Sequence, residues 1–128
     1  MARSILVVDD EPNIVLSLEF LLRHAGYEVS TARDGDAAHR AVAERAPDLI
    51  LLDVMMPGRN GYEVCAAIRA APGGKDVKIV MLTAKSRDIE QEKGLAMGAD
   101  AYVTKPFSTR ELVERVRQLL EAQTVDGR

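Results

Sequence analysis

Four apolar runs in this 128-residue chain lead directly into side chains that can do chemistry. "SILVV" runs into Asp9, Asp10 and Glu11, and "LILL" into Asp53. "KIVML" ends at Thr83, and "AYVT" ends at Lys105. Runs this short are strand-sized. A buried strand should not end on a knot of like charge unless something there wants negative charge. Two carboxylates ~4 Å apart repel by roughly 4 kcal/mol at an effective dielectric of about 20. Three together must bind protons or a cation, and one lysine offsets only part of the repulsion. A donor set made only of oxygen selects Mg²⁺, Mn²⁺ or Ca²⁺. The small number of side-chain oxygens favours Mg²⁺, which keeps several waters and shares its other positions with a phosphate. A cation, the Thr83 hydroxyl and the Lys105 ammonium together make a clamp for a phosphoryl group. A carboxylate in their midst can act as the nucleophile and form an aspartyl phosphate. Asp53 is the candidate.

The elements must bring these residues together. Five strand-like runs (4–9, 27–32, 48–53, 77–83 and 100–105) alternate with segments of helical period. Three runs are continuously apolar, as in strands buried on both faces. One helical stripe is Ile14, Val15, Leu18, Leu21, Leu22 and Ala25. A second is Val64, Cys65, Ile68 and Ala71, and a third is Leu112, Val113, Val116, Leu119 and Leu120. Pro12 suits a first helical turn, and Gly26 follows the last one. "STRE" over 108–111 reads as a capping box. The segment 34–45 is Ala-rich and helical. The segment 86–98 is the weakest helix, because Gly94 within it costs about 1 kcal/mol relative to Ala. This alternation predicts an α/β, doubly wound, flavodoxin-like fold. Its five-stranded parallel sheet takes the common order 2-1-3-4-5. Strand two is then an edge strand without a chemical group at its end. The other four are neighbours whose carboxyl ends face one crevice. One domain is expected over 1–122, with a short frayed tail over 123–128.

Composition narrows the function classes. Hydrophobic residues make up 47% of the chain, which excludes disorder. A net charge of −3 gives no support to direct nucleic-acid or membrane-surface binding. The longest apolar run is far short of the roughly 20 residues of a membrane span. The first residues lack a secretory cleavage pattern. One cysteine, Cys65, allows no internal disulfide and fits a reducing, cytoplasmic setting. No GxGxxG, GxxxxGK[ST], CxxC or HExxH motif is present.

Taken singly, each site residue has a plainer reading. Asp10 can be a helix cap, Asp53 and Thr83 strand ends, and Lys105 a solvated lysine. His24 suits the last turn of the first helix, His39 is a solvated residue, and Cys65 belongs to an apolar stripe. The joint placement on adjacent strands favours the chemical reading.

The motifs "LVVDDEP", "DLILLDVMMPGRNGYEV", "IVMLTA" and "GADAYVTKPF", followed by "ELVERV", are those of a known family. The chain resembles the receiver domain of two-component response regulators over essentially its whole length. The resemblance implies that Asp53 is the phospho-acceptor. It implies Mg²⁺ ligation by Asp9, Asp10, Asp53 and the Met55 backbone carbonyl, with Mn²⁺ as a substitute. Thr83 and Lys105 would bind the phosphoryl group, and Tyr102 would be an aromatic switch. The Lys105–Pro106 bond would be cis. The phosphodonor would be a sensor histidine kinase or a phosphotransfer protein. A downstream protein partner would meet the surface of segment 86–98, the fifth strand and the last helix. A monomer or a weak phosphorylation-dependent dimer is implied. "GADAY" replaces the more usual "GADDY", which leaves Asp100, Lys93 and Arg115 as the remaining charges of a dimer face. The function would be that of a switch, stand-alone or part of a longer regulator, catalysing only its own phosphorylation and dephosphorylation. A small-metabolite phosphatase and a flavin binder are the rival readings.

Overall fold

The computed structural model describes residues 3–54, 61–71, 74–83, 98–104 and 108–126, with backbone alone over 122–126. The strands are β1 (Ser4–Val8), β2 (Glu28–Ala32), β3 (Leu49–Asp53), β4 (Lys78–Thr83) and β5 (Ala101–Thr104). The helices among the described residues are α1 (Pro12–His24), α2 (Gly35–Glu44), α3 (Gly61–Ala70) and a C-terminal α4 (Thr109–Asp126). The strands form one sheet in the order β2-β1-β3-β4-β5. Every pair is parallel. The expected flavodoxin-like architecture is the observed one.

Two cores explain why the central strands read as unbroken apolar runs. On one face Leu6, Val8, Ile50, Leu52, Ile79 and Met81 pack against Ala38 and Val42 of α2 and against Val64, Cys65 and Ile68 of α3. On the other face Ile5, Val7, Leu49, Leu51, Val80 and Leu82 meet Leu18 and Leu22 of α1 and Leu112, Val116 and Leu120 of α4. Successive strand residues serve opposite faces, so β1, β3 and β4 must be apolar at nearly every position.

The helix ends follow local chemistry. Pro12 opens α1. Beyond its last turn Gly26 has φ +103°, its N–H donates to the Arg23 carbonyl (3.0 Å), and the Tyr27 N–H donates to that of Leu22 (3.1 Å). This is a glycine-dependent left-handed closure. Asp34 caps α2 by accepting from the Ala37 N–H at 2.8 Å. Ser108 Oγ accepts from the Glu111 N–H at 3.3 Å, which is one arm of the expected capping box.

The helix bounds extend to Asp126, into the segment 123–128 read as a tail. Ala122 and Gln123 are good helix formers, and the first breaker in the sequence is Gly127. The helix expected over 86–98 lies outside the described residues except for Gly98. Met55, Lys93, Lys105 and the Lys105–Pro106 bond lie outside them too.

Cys65 is fully buried, as its place on an apolar stripe predicts. Burial pushes its thiol pKa up, with the nearby Arg69 guanidinium working against the shift and Asp100 with it. The folded state therefore holds the thiol proton to higher pH than the unfolded chain does. Stability should be unaffected by this group below about pH 9, the ordinary thiol value, and should fall as pH rises beyond it. Urea titrations of the wild type and Cys65→Ala across that range should show a steeper alkaline loss in the wild type.

Candidate functional site

Parallel pairing gathers the carboxyl ends of the strands on one edge. The residues that follow β1 there are Asp9 and Asp10, β3 ends at Asp53, and β4 ends at Thr83. One carboxylate oxygen from each of Asp9, Asp10 and Asp53 lies within 4.8 Å of the others. Asp9 is 1% exposed, Asp53 4% and Thr83 3%, whereas Asp10 is open to solvent. Clusters of exposed acids are common and mean little. Two buried acids facing a third are costly and need a reason.

Local bonds hold this arrangement. The Asp9 N–H donates to the Ala32 carbonyl of the β2 end at 3.1 Å. Asp9 Oδ1 accepts from the Glu11 N–H at 2.9 Å, which turns the chain into α1. The N-cap of α1 is Glu11, with no side-chain capping bond. Asp10 is therefore not a cap, and the plain reading of that residue falls away. After Asp53, the Val54 N–H donates to Leu82 (3.0 Å) and the Gly61 N–H to Val54 (2.8 Å). A Cβ on Gly61 would stand 2.6 Å from the Asp53 carbonyl oxygen and 2.7 Å from Val54 Cα. Only glycine lets the start of α3 press so closely on the backbone beside Asp53.

At separations of 4.8 Å or less each pair of carboxylates repels by at least about 3 kcal/mol at an effective dielectric of about 20. The donor set fits a hard divalent ion. Three protein oxygens, all within 4.8 Å of one another, would leave positions on Mg²⁺ for water and a phosphate oxygen. Mn²⁺ accepts the same donors.

Strand register places the remaining residues. Asp53 pairs with Leu82, so Thr83 stands one residue further along the neighbouring strand. Tyr102 pairs with Met81 and Thr104 with Thr83. Tyr102 thus shares a sheet face with Thr83, two residues back from the edge. It is half-buried and packs on the core beneath α2 and α3. Lys105 and the Met55 carbonyl, the two other expected site groups, lie outside the described residues.

Some features were not read from the sequence. Leu16 and Phe20 lie off the apolar stripe of α1 and are 65% and 74% exposed. Phe20 stacks on His24 with ring centroids 6.1 Å apart. Apolar residues out of phase with a helix stripe were the available signal. Asp100 Oδ2 accepts from Arg69 Nη2 (2.7 Å) and from the Ile79 N–H (2.8 Å), two bonds that its sequence context did not indicate.

Residues 5–117 match the family model described as the response regulator receiver domain. Several solved structures are similar. One, from Chloroflexus aurantiacus and described as a response regulator, is 38% identical with TM-score 0.89, covering 94% of this chain and 99% of that one. Vibrio cholerae chemotaxis protein CheY4 is 33% identical with TM-score 0.89, covering 92% and 98%. The receiver domain of the Pseudomonas aeruginosa sensor histidine kinase PA1611 is 33% identical with TM-score 0.86, covering 94% and 99%. In that structure a magnesium ion is coordinated in the active-site cleft.

If the acidic edge holds a divalent ion, millimolar Mg²⁺ should raise the melting temperature. The stabilisation follows RT ln(1 + [Mg²⁺]/Kd), about 1 kcal/mol when the ion is present at several times its Kd. Asp10→Asn, at an exposed position, should fold normally and lose most of that gain. An equal gain in the variant would remove Asp10 from the ligand set.

Proposed function

Because the chain belongs to the response-regulator receiver family, we propose that Asp53 accepts a phosphoryl group from a phosphohistidine and that the acceptance resets a protein-binding surface. Receiver domains are not enzymes with a separate substrate; they undergo their own phosphorylation and dephosphorylation. The observation that carries the reading is the convergence of Asp9, Asp10 and Asp53, two of them buried, at the edge where β4 also delivers Thr83.

In this mechanism Asp9, Asp10, Asp53 and the Met55 carbonyl would hold a divalent ion. When bound, the ion offsets charge on the phosphoryl oxygens. An Asp53 carboxylate oxygen attacks the phosphorus in line with the leaving imidazole. A P–O bond forms, the P–N bond breaks, and its electron pair leaves on the ring nitrogen, which takes up a proton. Lys105 pairs with the phosphoryl group. The Thr83 hydroxyl donates to a second phosphoryl oxygen, and Tyr102 turns inward on the face it shares with Thr83. The added charge of about −1.5 to −2 drives both movements. Water later cleaves the acyl phosphate.

The donor is a histidine kinase or phosphotransfer protein, with which receiver domains typically interact. Its approach passes over α1, where Leu16 and Phe20 stand exposed on the helix that begins just after Asp10 and Glu11. The downstream partner meets the face bearing β5 and α4. A single buried thiol fits a reducing, cytoplasmic setting for this exchange.

Acetyl phosphate with Mg²⁺ should add one phosphoryl group to the wild type and none to Asp53→Asn, read by intact-mass spectrometry. Undiminished labelling of the variant would move the acceptor elsewhere. Thr83→Ala should still be labelled, and its Tyr102 environment should no longer respond.

A further inference from the structure

The geometry points to Arg69 as a positioning residue for the switch: from the far end of the sheet it fixes the register in which Thr83 and Tyr102 stand. The inference rests on the roles proposed above for Asp53 and Tyr102.

Arg69 lies in the last turn of α3 and spends its whole guanidinium on the amino ends of β4 and β5. Nε donates to the Gly98 carbonyl at 2.9 Å. Nη1 donates to the carbonyls of Gly74 (3.0 Å), Lys75 (3.1 Å) and Val77. Nη2 binds Asp100 Oδ2 at 2.7 Å. That carboxylate oxygen also accepts from the Ile79 N–H, and the Asp100 N–H donates to the Ile79 carbonyl, both at 2.8 Å. One cation therefore ties the residues just before β4 to those just before β5. The approach is close: Gly98 has φ +104°, and a Cβ there would stand 3.0 Å from Arg69 Cγ.

β5 needs such a tie. It has four residues, pairs only with β4, and leaves Tyr102, Val103 and Thr104 half-buried. A short edge strand with a partly covered face specifies its register weakly. A slip of two residues keeps each side chain on its face and moves Tyr102 by ~6.6 Å along the strand, out of step with Thr83. The guanidinium fork meets acceptors from Nε, Nη1 and Nη2 together, which a lysine ammonium at the same place cannot reproduce. At its other end α3 presses Gly61 against the backbone of Asp53. The same helix thus touches the phospho-acceptor strand at one end and sets β5 at the other. The clamp lies about 20 Å, the length of six strand residues, from the acidic edge, so changing it removes no metal or phosphoryl ligand.

The test uses the full chain with tyrosine-selective NMR labels, Mg²⁺ and beryllofluoride, and compares wild type with Arg69→Gln, Arg69→Lys and Asp100→Asn. In all four, amides near Asp9 and Asp53 should shift on beryllofluoride addition. The population ratio of the two Tyr102 states should fall by roughly 2- to 30-fold in Arg69→Gln, less in Arg69→Lys and least in Asp100→Asn. A Tyr102 response equal to wild type in folded variants, with only the melting temperature lowered, would reduce Arg69 to a folding staple and overturn the inference. Asp100→Asn keeps the carbonyl contacts of Arg69, so it remains informative if the Arg69 variants fail to fold. A wild type that takes up no beryllofluoride would instead defeat the phospho-acceptor reading itself.

Discussion

Mutual repulsion among Asp9, Asp10 and Asp53 is the constraint around which the rest is arranged. Their oxygens sit within 4.8 Å of one another, and two of the three side chains are almost wholly out of water. The fold makes this unavoidable. β1 and β3 are adjacent and parallel, so whatever follows each strand must share an edge. The apolar residues of β1 and β3 are locked into two cores, so neither strand can withdraw to relieve the charge. The energy belongs to the site as a standing demand for positive charge. A hard divalent ion would meet that demand, and the three carboxylates suit one.

The opposite edge of the sheet solves a different problem. There the task is to hold a short outer strand in step, and one guanidinium gathers carbonyls from two loops together with the Asp100 carboxylate. Helix α3 links the two edges, beginning against the Asp53 backbone and ending in Arg69. The division of labour is physical. Carboxylates are concentrated at the acidic edge, whereas at the other a single cation is met by backbone carbonyls and one carboxylate.

Much of this was legible in the sequence because each signal had one physical cause. Unbroken apolar runs such as "LILL" report strands buried on both sides, and the alternation with helices leaves few topologies. The acids of β1 and β3 could be assigned to one edge before any coordinates, since a parallel sheet permits nothing else. Arg69 was not legible. Its partners are mostly backbone carbonyls, which carry no residue identity, and Asp100 looked like a surface charge until its bonds to Arg69 and Ile79 were seen. Phe20 was missed because an apolar stripe draws attention to the buried face and away from its exceptions.

A crystal structure with Mg²⁺ and beryllofluoride bound tests the central claim most directly. The account predicts beryllium bonded to an Asp53 carboxylate oxygen, the cation touching Asp9 or Asp10 as well as a fluoride, and the Thr83 hydroxyl on another fluoride. Beryllium on a different carboxylate, or a cation bound away from Asp9 and Asp10, would contradict it.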